Sequence, residues 1–432
     1  MNNHPDIDHN RLGPRRNLRD YSVHQRCAGA TCADRMDERK LLKVGSILLA
    51  VAVVMGDGLD LDALLDFNNF SSLIFVAALA CFGAASNIRV PRLVQPPEIH
   101  RTDISFDAFQ GRNAEFYQKF GFLLDDARRL FIALQIPASF TLNEGRHRHK
   151  ISGQHCFLYT LYRYRSPSQR QTLDSDSFGY DYSVLSKMFS ACCGYIDDTH
   201  GHRLRKLPET APFFAHFNAC ITGSIERKFP GIPLPHDATH CSLFVDGTRF
   251  RVQRPSGDWW RQYAYFSGDK WYHCHGAQGV FGPDGIFYDW YDGPAGRQND
   301  KYFWRDSNAN NILTNCQLGN AVQYWCYADK GYGLNYSHLR AAAHGPGHVT
   351  DQQMFDNWIM AKERVGVEWG YGKIDARCPF LKCVHLMKLQ ACDVASLVRV
   401  AVLLTNAHTC LQQSQTGLYF ECEAPSLENY FA

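Results

Sequence analysis

Between residues 240 and 330 the chain runs as short apolar stretches separated by turn residues. "CSLFVD", "RFRVQRP", "KWYHCHGAQGVF" and "DGIFYDWYDG" follow one another closely, the pattern of an antiparallel meander. A stretch of helical character follows, "KYFWRDSNANNILTNCQLGN", then one more strand-like run, "VQYWCYAD", then a long helical pattern from residue 349 onward. Strands first, then strand and helix in alternation, specify an α/β fold: a mixed sheet flanked by helices.

Two of these runs close in the same way. "FVDGT" and "YADKGY" each end on an aspartate followed by a small or turn-forming residue, giving Asp246 and Asp329. Acids at strand ends are well placed to converge, because those ends line the crevice of an α/β sheet. A third acid comes from the helix after them. Thr350 with Gln353 reads as a capping box, and Met354, Trp358, Ala361 and Val365 recur on one face. Continuing that face reaches Glu368. A carboxylate on a buried stripe needs a partner, a metal or a proton; the alternative is a helix that ends near Gly366 and leaves Glu368 in water. Three carboxylates in one site repel one another, and a hard divalent cation, Mg²⁺ or Mn²⁺, resolves that repulsion with oxygen ligands.

The whole chain has 432 residues, 45% of them hydrophobic, which suits two or three domains. Net charge is +2, so no global polyanion signature exists and any nucleic-acid surface is local. The 16 cysteines form no CxxC pair, and no secretory signal pattern precedes them, so reduced thiols in a cytosolic or nuclear protein are expected. "HDATH" (236–240) and "HCH" (273–275) raise zinc, but no Cys/His set completes a tetrahedral site at usual spacing.

Five segments are expected. Residues 1–40 read as a disordered tail, with "RLGPRR" either an import patch or solvated surface. Residues 41–100 read as an N-terminal helical hairpin and a proline-rich linker. The hairpin runs, 41–56 and 70–85, are shorter than the roughly 18–20 residues that span a bilayer, and Lys43 interrupts the first, so they are expected to pack on the protein, with a membrane hairpin as the alternative. Residues 101–235 read as an all-α, helix-turn-helix-like domain, with helices at 121–134, 153–167 and 181–196 and Ser183 as an N-cap; its basic clusters are either a DNA face or ordinary wet surface. Residues 236–385 form the core with the carboxylates, and 386–432 a C-terminal helix and tail packed on it.

"FVDGTRFRVQRP", "YFSGDKWYHCHGAQGVFGPDGIFYDWYDGPAGRQND", "YADKGY" and "RVGVEWGYGKI", in that order, resemble the PIF/Harbinger-type DDE transposases, a DDE superfamily of endonucleases. The likeness covers roughly residues 100–432, including the C-terminal "LLTNAHTCLQQSQTGLYFECEAPSLENYF". It implies an RNase H-like core, with the catalytic and metal-binding triad on Asp246, Asp329 and Glu368 and a supporting ligand at Asp300 of "GRQND". It also implies two divalent ions, Mg²⁺ or Mn²⁺, about 4 Å apart, clamping the attacking and leaving oxygens of a phosphodiester. Double-stranded DNA, at transposon ends and at the target, is the implied substrate. A nuclear location, a Myb-like DNA-binding partner and a homo-oligomer on DNA follow from the same resemblance. Lys270, His273 and Lys330, near the strands and turn of the site, are candidate DNA contacts. The alternative is a domesticated descendant that binds DNA or a partner without cutting.

Overall fold

The computed structural model describes residues 104–432, apart from 145–146, 167–170, 206, 208–209, 294–295, 334–335 and 344–348. The expectations for the tail at 1–40 and the apolar pair at 41–56 and 70–85 lie outside the described residues. Two short helices come first, α1 (Asn113–Phe120) and α2 (Leu124–Ala133). Phe116, Phe120, Leu124, Ala127 and Leu130 are all buried, at helical spacing.

The all-α expectation for 101–235 fails at one place. Residues 139–152 form an antiparallel hairpin, β1 (Ser139–Glu144) with β2 (His147–Ser152). Phe140 faces Ile151 across the ladder, and Leu142 is buried two residues on, so a period of two governs this stretch. The basic run there is therefore carried on a strand. Four helices follow: α3 (Gly153–Arg165), α4 (Gln171–Phe178), α5 (Tyr182–His200) and α6 (Ala211–Lys228). The N-cap of α5 is Asp181, not Ser183: the Asp181 carboxylate accepts the Ser183 N–H at 2.9 Å, which puts Ser183 inside the first turn.

The sheet begins with β3 (Cys241–Arg251). Helix α7 (Trp259–Tyr265) and the two-residue β4 (Phe266–Ser267) lead to β5 (Tyr272–Phe281) and β6 (Phe287–Gly293). Next come α8 (Asp300–Ser307) and α9 (Ala309–Cys316), in place of one continuous helix. Asn308, at φ 60°, divides them, a left-handed conformation that asparagine tolerates. Strands β7 (Trp325–Ala328) and β8 (Leu339–Ala341) follow, then α10 (Asp351–Arg377), α11 (Val394–Leu411), α12 (Gln415–Phe420) and α13 (Leu427–Phe431).

The strand order is β6-β5-β3-β7-β8, with β4 paired to the start of β5. Strands β3, β5 and β6 form the expected antiparallel meander, and β7 and β8 run parallel to β3 and to each other. A mixed sheet of this order with flanking helices is compatible with an RNase H-like fold. Leu243, Phe244 and Val245 of β3 and all of β7 are buried, because α6 and α10 pack against the sheet. Among the described residues, only α11 is long and apolar enough to cross a membrane, and most of it is buried inside the protein as a core helix.

Helix α10 runs unbroken through Gly366 to Arg377, so Glu368 lies within it. Its capping box forms as expected: Thr350 Oγ1 accepts the Gln353 N–H at 3.2 Å, and Gln353 Oε1 accepts the Thr350 N–H at 3.0 Å. The apolar stripe, however, is displaced. The buried positions are Ile359, Met360, Glu363, Gly366, Val367, Gly370 and Ile374. Met354 and Trp358 are exposed, Trp358 resting its ring edge-on to Phe229 at the rim. Glycines mark the closely packed side: a Cβ on Gly370 would lie 2.7 Å from the Phe281 ring. Glu368 is therefore not on the buried stripe, and its side chain is 54% exposed.

Candidate active site

Strand β3 does not end at Asp246, as its sequence suggests, but continues to Arg251 along β5. What ends near Asp246 is the parallel pairing. Its last pair is Phe244 with Tyr327, and two further residues on each strand lead to Asp246 and Asp329. The two acids thus occupy equivalent positions on neighbouring parallel strands, where the strands part. Asp329 caps a single turn at Lys330–Tyr332, its Oδ1 accepting the Gly331 N–H at 2.7 Å.

Asp300, the first residue of α8, folds over both. A Cβ on Gly247 would lie 2.5 Å from Asp300 Oδ1, so the residue after Asp246 has no room for a side chain. A Cβ on Gly331 would lie 3.0 Å from Asp329 Oδ1 and 3.8 Å from Asp300 Oδ2. Glycine at 247 is thus a packing requirement of the third acid, whereas at Gly331 the tight neighbour is Asp329 itself and Asp300 stands at ordinary contact distance. Arg249 Nη2 holds Asp300 Oδ1 at 3.2 Å.

The electrostatics agree with this crowding. The Asp246 carboxyl is pushed up to about 6, first by burial, against the pull of Arg364, with Asp329 and Asp300 adding repulsion. Tyr332 is fully buried among the acids. Burial and then Asp300, Tyr371, Asp246 and Asp329 raise its phenol well above the ordinary value. Its hydroxyl has no hydrogen-bond partner among the described residues.

Glu368 reaches the cluster through a cation. Arg364, one turn earlier on α10, places Nη1 3.1 Å from Asp246 Oδ2 and Nη2 3.2 Å from Glu368 Oε1. Tyr371, from the same helix, donates to the Asp246 carbonyl at 2.6 Å and accepts the Gly279 N–H at 3.1 Å. Helix α10 therefore fixes Asp246 at both its side chain and its backbone. Neither the apolar stripe nor the strand ends mark Arg364 and Tyr371, but their offsets of four before and three after Glu368 put all three on one face of α10. The carboxylate that is buried on α10 is Glu363, satisfied by Lys228 Nζ at 2.9 Å and Ser224 Oγ at 2.9 Å from α6. Its role is to join two helices.

Among the described residues, no three of Asp246, Asp300, Asp329 and Glu368 bring oxygens within 4.8 Å of one another. The donor set is nonetheless that of a hard divalent cation, all carboxylate oxygens, with an orphaned phenol beside it. Lys330 adjoins Asp329 and is exposed. Lys270 lies in the turn between β4 and β5, and His273, on β5, is not at the acids. Asp246 pairs with Gly279, and His273 lies six residues back along β5, roughly 20 Å at strand rise. The flagged histidines are engaged elsewhere: His275 with Asp292 at 3.3 Å, His273 against the Phe266 ring, His236 and His240 against Trp325.

Residues 245–406 match the family model described as DDE superfamily endonuclease. The match contains Asp246, Asp300, Asp329 and Glu368, together with Arg364 and Tyr371. It supports a DDE transposase-like nuclease whose substrate is DNA, and DDE nuclease domains generally use divalent metal ions. No curated protein and no solved structure matches the chain.

Proposed function

We propose that the chain is the DNA endonuclease and strand transferase of a Harbinger-type transposon, cutting phosphodiester bonds at transposon ends. Asp246, Asp329 and Glu368 would hold two divalent ions, Mg²⁺ or Mn²⁺, with Asp300 as the supporting ligand. The observation that carries this reading is the juxtaposition of Asp246 and Asp329 on parting parallel strands with Asp300 packed against the glycines beside them. Bound divalent ions would supply an activated water and charge neutralisation at the phosphodiester. The chain's own contribution is positional. Tyr371 anchors the Asp246 backbone, Arg249 orients Asp300, and Arg364 balances the charge of Asp246 and Glu368. Lys330 would meet phosphate at the site, and Lys270, in the turn before β5, and His273, on β5, would also meet DNA. Nuclear location, a Myb-like partner and assembly as a homo-oligomer on DNA belong to the same proposal.

A domesticated, non-cutting protein is the second reading. One observation favours it: Glu368 is exposed and bound to Arg364, not gathered with the aspartates. The deciding experiment incubates full-length protein with supercoiled plasmid and Mg²⁺ or Mn²⁺, beside Asp246→Asn and Glu368→Gln controls. Metal-dependent nicking by the wild type alone supports the nuclease. Absence of nicking with either metal, and with nuclear extract added, moves the reading to the non-cutting protein.

A further inference from the structure

Away from the carboxylates, three soft donors converge. His216 and Cys220 stand one turn apart on α6, and Cys422 comes from the segment after α12. His216 Nε2 lies 3.9 Å from Cys220 Sγ and 3.8 Å from Cys422 Sγ, and all three donor atoms fall within 4.8 Å of one another. A tetrahedral zinc ion, with Zn–S near 2.3 Å and Zn–N near 2.0–2.1 Å, separates its ligand atoms by about 3.6–3.8 Å. The donors therefore already stand close to the edges of one tetrahedral face. A nitrogen and two sulfurs form a set that selects zinc over the hard ions suited to carboxylates.

We propose that His216, Cys220 and Cys422 bind one Zn²⁺, with the fourth vertex open to water. A cavity of about 640 Å³ reaches His216 and is lined by Phe213, Asp284, Tyr288 and Glu423 among others, giving the ion an entry path and the water a place. Cys422 is buried and His216 is exposed, so the ion joins the C-terminal segment to the outer side of α6. Helix α6 also carries Ser224 and Lys228, which hold Glu363 of α10. The zinc ion thus fastens the tail to the helix that braces the glutamate-bearing helix. Both thiols lose their protons on binding, so uptake of the ion releases protons. No spacing rule reveals this site, because Cys422 lies about 200 residues after its two partners.

The test uses the full chain, fully reduced and stripped with chelator, titrated with Co²⁺ as a spectroscopic probe. One equivalent is expected to give the thiolate-to-cobalt charge-transfer band and the ligand-field bands of a tetrahedral site, both removed by Zn²⁺. His216→Gln, at an exposed position, and Cys220→Ser are each expected to weaken Co²⁺ binding on the order of tenfold or more and to remove the Zn²⁺-induced rise in Tm. Asp246→Asn is expected to leave the band unchanged, which separates this site from the carboxylate cluster. A reduced wild-type chain with no thiolate band, or His216→Gln and Cys220→Ser variants that bind Co²⁺ as tightly as the wild type, would overturn the proposal.

Discussion

Arg364 Nη1 lies 3.1 Å from Asp246 Oδ2, and the same guanidinium reaches Glu368, so one cation stands between two of the four acids assigned to the metal. The bridge is nearly shielded on the Asp246 side and exposed on the Glu368 side. It stabilises a pair of carboxylates that would otherwise repel.

Removing Arg364 is therefore expected to act in opposite directions with and without metal. Arg364→Gln should lower the Tm of chelator-treated protein, by roughly 1–2 kcal/mol of stability, because Asp246 loses its counter-charge. The same variant should gain more Tm than the wild type on adding Mn²⁺. Thermal shift with and without the ion reads both effects, and an equal Mn²⁺ response in both proteins would count against competition between cation and guanidinium.

Glu368→Gln removes one negative charge at an exposed position whose only described polar contact is Arg364. Exposed ion pairs of this i,i+4 kind contribute about 0.3–0.5 kcal/mol, so stability should barely change. Metal-dependent plasmid nicking should be abolished, while DNA binding by gel shift stays near the wild-type level. Nicking at the wild-type rate would remove Glu368 from the triad.

Lys228→Met leaves Glu363 buried without a cation and also takes the ammonium off the Tyr419 ring, which it overlies at 3.3 Å. Breaking a buried pair from one side is expected to destabilise by about 3 kcal/mol. Glu363→Gln, which keeps an oxygen for Ser224, should be milder. Urea unfolding of the two variants checks the order, and a milder Lys228→Met would show that the pair contributes little.

Asp289 on β6 is fully buried, and burial pushes its carboxyl up to about 6 despite Arg205 at 3.2 Å. A carboxyl whose folded value is raised contributes stability that is fully present below about pH 4 and lost as pH rises through about 6. Asp289→Asn should thus stabilise the protein at pH 8, by up to about 3 kcal/mol, with the gain fading toward pH 4. Chemical denaturation at the two pH values measures it; a gain that does not depend on pH would refute the titration.

The sequence by itself determined the antiparallel meander of β3, β5 and β6, the strand β7 ahead of the long helix α10, and the capping box at Thr350, and it singled out Asp246 and Asp329 where two apolar runs close. These features are local: turn residues, a period of two or of 3.6, and a cap are set by neighbours within a few positions. It also shows that a costly glutamate occurs in "ERVGVEWGYGK", but the buried one is Glu363 and not Glu368. Apolar Met354 and Trp358 suggested the inward face, whereas Gly366 and Gly370, with no apolar side chain to signal burial, mark where α10 closes on the sheet and on α12. Only the tertiary structure decided that Glu363 is buried, because its partner Lys228 lies on another helix 135 residues earlier. The same holds for Asp300 folding over Gly247, for His273 lying far along β5 from the acids, and for the meeting of His216, Cys220 and Cys422. Each is a contact between distant segments, made by how the sheet and helices pack, and no local period carries that information.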